Sequence, residues 1–235
     1  MKEPIETLLF DFGGTLDADG VAWKERFYTL YRAEGLDMAA EAFAPAFFAA
    51  DSPLIGWLPP TTSLSGTVHA LAANLEVELA RRCTGNDRNV IEQSERARRV
   101  AVRFLSDASA AFARNQPVLS ALRERYRLGI VSNFYGNLEA VCHSAGLASL
   151  FAAMVDSQRV GVEKPDPAIF RTALEMLGAA PETTVVVGDS LRRDREGARR
   201  TGMRFIWIAP QVVQAAEPQV GSAVTALRDL MKILR

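Results

Sequence analysis

Near its amino terminus the chain reads LLFDFGGTL from Leu8 to Leu16. Three consecutive apolar residues, Leu8 to Phe10, fit the end of a strand buried on both faces, as in the middle of a parallel sheet. Asp11 stands where that strand stops. In open α/β sheets ligands occupy the crevice beyond the carboxyl ends of the strands, which places this carboxylate at a site rather than in the core. Gly13 and Gly14 then permit a sharp turn and a close approach of backbone to whatever Asp11 touches. A solvated Asp before a plain Gly-Gly turn would read the same way, so the weight falls on the rest of the chain.

Elsewhere the composition is that of a folded enzyme-sized domain. Of 235 residues 49% are hydrophobic, enough for a real core, and 27 basic residues nearly balance 28 acidic ones. That balance predicts neither a nucleic acid nor an anionic membrane as partner, and leaves a small polar or anionic substrate open. Lys occurs only at positions 2, 24, 164 and 232, so the internal Lys164 stands out. Cys83 and Cys142 lie far apart in no metal-type spacing, and neither a signal peptide nor an apolar run of membrane-spanning length is evident, which predicts a reduced, cytoplasmic setting.

After the first turn the periodicity becomes helical. Phe27, Leu30 and Tyr31 share one face ahead of Gly35, Asp37 is placed to cap a second helix running to Ala50, and further helices are expected over 68–82 and 90–113, with a polar turn at 84–89 between them. The aromatic, Pro-rich loop Gly56-Trp57-Leu58-Pro59-Pro60 reads as a lid. The arginines at 96, 98, 99 and 103 read as a solvated helix face, and His69 and His143 as packing or surface residues.

From Pro117 onward, strands alternate with helices. A short helix over 117–125 leads to strand 128–132, a helix around Leu138 and Val141, and a strand at 153–156; a helix from Asp166-Pro167 to Gly178 precedes strand 184–187. Another helix reaches Gly202 before strand 205–208, and Val224, Leu227, Leu230, Met231 and Leu234 predict a last helix. Alternation of this kind implies a Rossmann-like, doubly wound parallel sheet with helices on both faces. The first strand belongs to that sheet. The α/β core is therefore residues 1–19 and 114–235, interrupted by an all-helical unit over 20–113.

Parallel strands bring their carboxyl ends to one edge, so Asp11, Ser132-Asn133, Lys164 and Asp189 with Asp194 converge there. Neighbouring Asp11 and Asp189 repel unless a cation lies between them, and a hard divalent ion suits Mg²⁺. Ser132, Asn133 and the backbone N–H groups of the Gly13-Gly14 turn offer donors to an anionic oxygen. Together these groups suit a phosphoryl group.

The residues Phe10-Asp11-Phe12-Gly13-Gly14-Thr15-Leu16, Val131-Ser132-Asn133, Glu163-Lys164-Pro165-Asp166-Pro167 and Val187-Gly188-Asp189-Ser190 with Asp194 resemble, in order, the four motifs of the haloacid dehalogenase superfamily. The resemblance implies a helical cap over the site, here residues 20–113. It implies Asp11 as a nucleophile phosphorylated on its carboxylate, and Gly14, Thr15, Ser132, Asn133 and Lys164 as the phosphate-binding set. Lys164 also steadies the charge of Asp11 and the phosphate. Mg²⁺ falls to Asp11, the Gly13 carbonyl, Asp189 and Asp194, and the substrate to a phosphate ester or acyl phosphate of a small metabolite.

One position departs from the pattern. Phosphatases of that superfamily carry a second Asp two residues after the nucleophile, as general acid and then base, and here Gly13 stands there. Its loss should cost on the order of 10² to 10⁴ in rate, so that activated phosphates turn over and alkyl phosphates are slow. Asp17 and Asp19 are the nearest substitutes, though both read more readily as connector residues in water. A 2-haloacid dehalogenase, which needs no such acid, and a catalytically weakened binding or regulatory protein are the alternative readings. Gly188-Asp189-Ser190, a metal-binding form, speaks against the metal-free dehalogenases.

Overall fold

A computed structural model describes residues 3–82, 90–216 and 222–234. Six strands form one sheet: β1 (Thr7–Phe10), β2 (Arg127–Ser132), β3 (Ala153–Asp156), β4 (Thr184–Gly188), β5 (Arg204–Ile208) and β6 (Ala223–Val224). Their order is β3-β2-β1-β4-β5-β6 and every neighbouring pair is parallel. This is the doubly wound order, with the winding reversing at β1, so the crevice opens beyond the ends of β1 and β4. Phe10 is level with Ile130 and with Val187, so Asp11, Ser132 and Asp189 all lie within two residues of one line across the sheet.

The strands alternate with period 2 and are apolar on both faces. Leu8, Phe10, Leu128, Ile130, Val185 and Val187 pack into one cluster, while Leu9, Val131, Val155 and Val186 face the opposite way. Four helices intervene between β1 and β2: α1 (Trp23–Ala33), α2 (Ala40–Asp51), α3 (Leu64–Arg82) and α4 (Val90–Arg123). Their buried residues, among them Phe27, Tyr31, Phe43, Leu71 and Phe104, belong to the same cluster as the first sheet face. The remaining helices are α5 (Leu138–Ser144), α6 (Ser157–Val160), α7 (Pro167–Leu177), α8 (Glu196–Thr201), α9 (Gln211–Ala216) and α10 (Leu230–Ile233). The second sheet face is covered by α7 and α8, through Ile169, Phe170, Ala173 and Ala198.

Several boundaries differ from the expectation. No helix ends at residue 113: α4 runs on through Pro117 to Arg123. Proline removes one backbone donor, but Ala111, Phe112, Leu119 and Leu122 on either side are buried and hold the helix together across it. At this junction Asn115 Nδ2 donates to the Leu16 carbonyl at 3.0 Å and Arg114 pairs with Asp19 at 2.9 Å, tying α4 to the turn after β1. Asp37 caps nothing; Ala39 holds the N-cap position of α2, and Asp37 pairs with Arg32 at 3.2 Å. Val224 lies in β6 and not in the last helix, because its neighbour Ile208 offers a free strand edge.

Of the four arginines on this face of α4, Arg98, Arg99 and Arg103 are exposed as expected and Arg96 is half-buried, but three of the four also bond other helices. Arg96 makes two bonds of 2.9 and 2.8 Å to buried Glu76 of α3, and Arg99 and Arg103 both reach Glu34 beyond α1, so these charges join helices. Arg98 pairs with Glu95 in solvent. His69 is exposed and bonded to its own helix at the Ser65 carbonyl, and His143 is exposed. Asp166 caps α7 by accepting from Ala168 N at 2.8 Å, and Gly178 stops it at φ +57°. The polar turn at 84–89 and Cys83 lie outside the described residues. Among those described, no helix is long and apolar enough to cross a membrane.

Candidate active site

Asp11 continues the ladder by one step, its N–H bonding the Val187 carbonyl at 3.0 Å, and its carboxylate stands at the mouth of the crevice. Its Oδ1 accepts from Ser132 Oγ at 2.9 Å and from Lys164 Nζ at 2.7 Å. Its Oδ2 has no donor among the described residues. Lys164, buried with its side chain 2% exposed, also bonds Asp194 Oδ1 through Nζ at 2.6 Å, and Asp194 Oδ2 accepts from Ser190 N at 3.0 Å. Burial by itself would lower the pKa of Lys164; Asp11 and Asp194 more than offset this, so the ammonium is retained.

Asp189 extends from β4 and has no cation of its own; the Thr15 hydroxyl bonds its Oδ1 at 3.3 Å. Burial, then the charges of Asp11 and Asp194, push its carboxyl well above the usual range. Burial also raises Asp194, against the pull of Lys164. One oxygen from each of Asp11, Asp189 and Asp194 lies within 4.8 Å of the others, three carboxylates to a single ammonium. An all-oxygen cluster with surplus negative charge matches a hard divalent cation. Gly14 makes room for the Asp189 carboxylate: at φ +91°, an added Cβ would come 2.6 Å from Asp189 Oδ2.

Some predicted donors are committed elsewhere. The Gly14 N–H donates to Asp17 Oδ1 at 2.7 Å, and Thr15, fully buried, gives its hydroxyl to Asp189, so neither offers that group to an anion. Asn133 accepts from Lys164 N at 2.7 Å and donates to Lys164 O at 3.2 Å, fixing the loop that carries the lysine. The Gly13 N–H has no partner among the described residues. Ser132 and Lys164 stand where expected.

Asp17 is the largest departure from the sequence reading. It is 1% exposed rather than solvated, and its Oδ2 accepts from Trp23 Nε1 at 2.7 Å and from Arg26 Nη1 at 2.6 Å. The Arg26 guanidinium lies 3.7 Å from the centre of the Phe104 ring, joining α1 to α4 above the turn. Gly13 has no positive φ; an added Cβ would meet Trp23 Nε1 at 3.2 Å. The Trp23 indole would have to give by a few tenths of an ångström to admit a side chain at position 13.

Above the carboxylates lies a cavity of about 660 Å³. Its floor is Asp11, Gly13, Ser132, Asn133, Lys164 and Asp189, its roof Trp23, Phe47, Phe48 and Asp51 of the inserted helices, and its rim includes Arg192 and Arg193. Trp57 and its Pro-rich neighbours do not line it, and Trp57 is 70% exposed, which leaves the lid reading without a contact to support it. Asp51 and Tyr135, bonded to each other, also face the cavity. Trp23, Asp51 and Tyr135 carry no motif that marks them in the sequence. Only their distant packing partners give them a place.

Comparison with known proteins agrees with this geometry. Residues 5–202 match the model of the family described as haloacid dehalogenase-like hydrolase. A phosphoserine phosphatase of Thermus thermophilus is 36% identical over 118 residues, 48% of this chain and 47% of the relative. A glyceraldehyde 3-phosphate phosphatase of Methanopyrus kandleri is 39% identical over 127 residues, 51% of this chain and 54% of that protein. The chain thus spans about half the length of these curated relatives. A solved structure described as a dehalogenase with an intermediate complex superposes with a TM-score of 0.63 at 17% identity, covering 100% of this chain and 99% of that one, a likeness of fold. With the family model spanning most of its length, the chain belongs to the haloacid dehalogenase-like hydrolases.

Proposed function

We propose that this hydrolase is a Mg²⁺-dependent phosphatase of a small phosphorylated metabolite, with Asp11 as the phosphoryl acceptor. The observation that carries the reading is the buried Lys164 ammonium shared by Asp11 Oδ1 and Asp194 Oδ1, beside a carboxylate cluster in surplus. Asp11 is left with one free oxygen at the floor of the cavity, the arrangement an ionised nucleophile requires. The phosphatase relatives, each matched over about half its length, point the same way.

In this reading the Asp11 carboxylate attacks phosphorus and expels the alcohol, and water then hydrolyses the aspartyl phosphate. Lys164 donates to Asp11 Oδ1 and lies next to the incoming phosphoryl oxygens, Ser132 orients Asp11 Oδ1, and Asn133 holds the lysine's peptide in place. Asp11, Asp189, Asp194 and the Gly13 carbonyl would hold Mg²⁺, which when bound supplies positive charge for the phosphoryl oxygens. The helices over 20–113 act as a cap that selects the substrate through its organic part.

A screen of phosphate esters and acyl phosphates with Mg²⁺, using Asp11→Asn as blank, tests this. Phosphate release by the wild-type chain alone is expected, together with no chloride release from 2-haloacids. Equal release by both proteins, or chloride release that survives EDTA, would overturn it.

A further inference from the structure

The reading above makes no use of Asp51, at the end of α2, or of Tyr135, three residues beyond Ser132. The buried Tyr135 hydroxyl donates to Asp51 Oδ1, the sole hydrogen bond to that carboxyl among the described residues, so Oδ2 is unpaired. Both residues line the cavity, Asp51 from the roof. The phosphoryl group is gripped from the floor, so the organic part of an ester must extend towards this roof. The oxygen that needs a proton is the one that joins the phosphoryl group to that organic part.

Four carboxylates line the cavity among the described residues: Asp11, Glu25, Asp51 and Asp189. Asp11 is the nucleophile of the proposed reaction and Asp189 a candidate metal ligand. Glu25 is paired with Lys24 at 3.0 Å in solvent. Position 13 has no side chain to contribute. Asp51 remains. The groups facing it are Tyr135, Arg193 from the turn after β4 and Glu163 from the loop before α7. Burial raises its pKa above the ordinary carboxylate value, with Tyr135 and Arg193 opposing and Glu163 adding to the rise.

We propose that Asp51 is the proton donor to the leaving group, in place of the side chain absent at Gly13, with Tyr135 as the residue that positions it. This rests on the phosphatase reading. As an Asp11 oxygen bonds phosphorus and the phosphorus–oxygen bond of the ester breaks, the Asp51 carboxyl passes its proton to the departing alkoxide. The resulting carboxylate takes a proton from the water that attacks the aspartyl phosphate. The water oxygen leaves in inorganic phosphate, and both carboxyl groups return to their starting states.

The test is kcat/KM with Mg²⁺ across phosphate monoesters graded in leaving-group pKa, from p-nitrophenyl phosphate to alkyl phosphates, for the full chain and its Asp51→Asn, Asp51→Glu and Tyr135→Phe variants. The wild-type chain should show a shallow dependence. Asp51→Asn should lose on the order of 10² to 10⁴ more on alkyl phosphates than on p-nitrophenyl phosphate. Asp51→Glu should recover part of that selective loss, and Tyr135→Phe should show the same selectivity against alkyl phosphates to a smaller degree. An equal loss on every ester in Asp51→Asn would reduce the pair to a latch between helices and sheet and overturn the proposal. So would a selective loss in Tyr135→Phe but not in Asp51→Asn. A wild-type chain that hydrolyses p-nitrophenyl phosphate but not alkyl phosphates overturns the proton donor alone, whereas turnover of no ester and no acyl phosphate overturns the phosphatase reading with it.

Discussion

Asp11 and Asp17 lie six residues apart around one turn, both buried beneath the inserted helices, and each bonds a cation. Asp17 has both oxygens occupied, by Gly14 N on one side and by Trp23 and Arg26 on the other, and its charge is met one for one by Arg26. Asp11 has one oxygen occupied and one free, and it shares its only cation with Asp194 while Asp189 has none. The first arrangement is complete without a ligand and fixes the turn. The second is incomplete, and its surplus negative charge is what a divalent cation and a phosphoryl group would use. Burial alone does not separate a structural carboxylate from a reactive one; the count of partners does.

Removing each group should therefore fail in a different way. Asp11→Asn should lower turnover by at least about 10⁴-fold with the circular dichroism spectrum retained, since the amide has nearly the same shape. Asp17→Ala should instead unfold more easily by about 3 to 5 kcal/mol in denaturant titrations, because Arg26 is left as an unpaired buried charge. If Asp17→Ala were as stable as the wild-type chain, the clamp would not be what holds the turn.

Asp189→Asn should sharpen the contrast. Mg²⁺ at a hundred times its dissociation constant should stabilise the wild-type chain by about 2.7 kcal/mol and the variant far less. The metal-free protein should also respond to pH. Asp189 lies well above the usual range and Asp194 is pushed up to about 6 by burial, so the folded chain holds more protons than the unfolded one between the ordinary carboxylate range and those values. Its stability should fall as pH rises through that window, and saturating Mg²⁺ should flatten the fall. A metal-free melting curve that strengthens over the same window would contradict the surplus charge.

The smallest effect concerns position 13. The sequence alone suggests that Gly13→Asp restores a missing acid and speeds alkyl phosphate hydrolysis. With the Trp23 indole 3.2 Å from the new Cβ, the substitution should instead cost about 1 to 3 kcal/mol from overpacking and give little acceleration. A clear rate gain on alkyl phosphates without loss of stability would show that the indole yields easily.

What could be read from sequence was whatever a strand end imposes locally. Asp11, Ser132, Lys164, Asp189 and Asp194 follow apolar runs or lie in loops whose positions the parallel sheet determines, and they converge as anticipated. Asp17 was misplaced because its burial depends on Trp23, Arg26 and Phe104, the last 87 residues away. The donors of Gly14 and Thr15 were misjudged for the same reason: their acceptors are fixed by tertiary contacts. Pro117 looked like a helix start because a proline favours that position, but continuous packing on both sides carried α4 through it. Two-residue β6 is too short for any periodicity to mark.

The account stands or falls on a covalent phosphoryl group at Asp11. The direct measurement is to mix the chain with Mg²⁺ and a ³²P-labelled acyl phosphate, quench in acid and map the labelled peptide. Label that hydroxylamine releases, located on the peptide containing Asp11 and absent from Asp11→Asn, is the expected result. Phosphate release without any labelled chain in the wild type and with an undiminished rate in Asp11→Asn, or label on another residue, would contradict it.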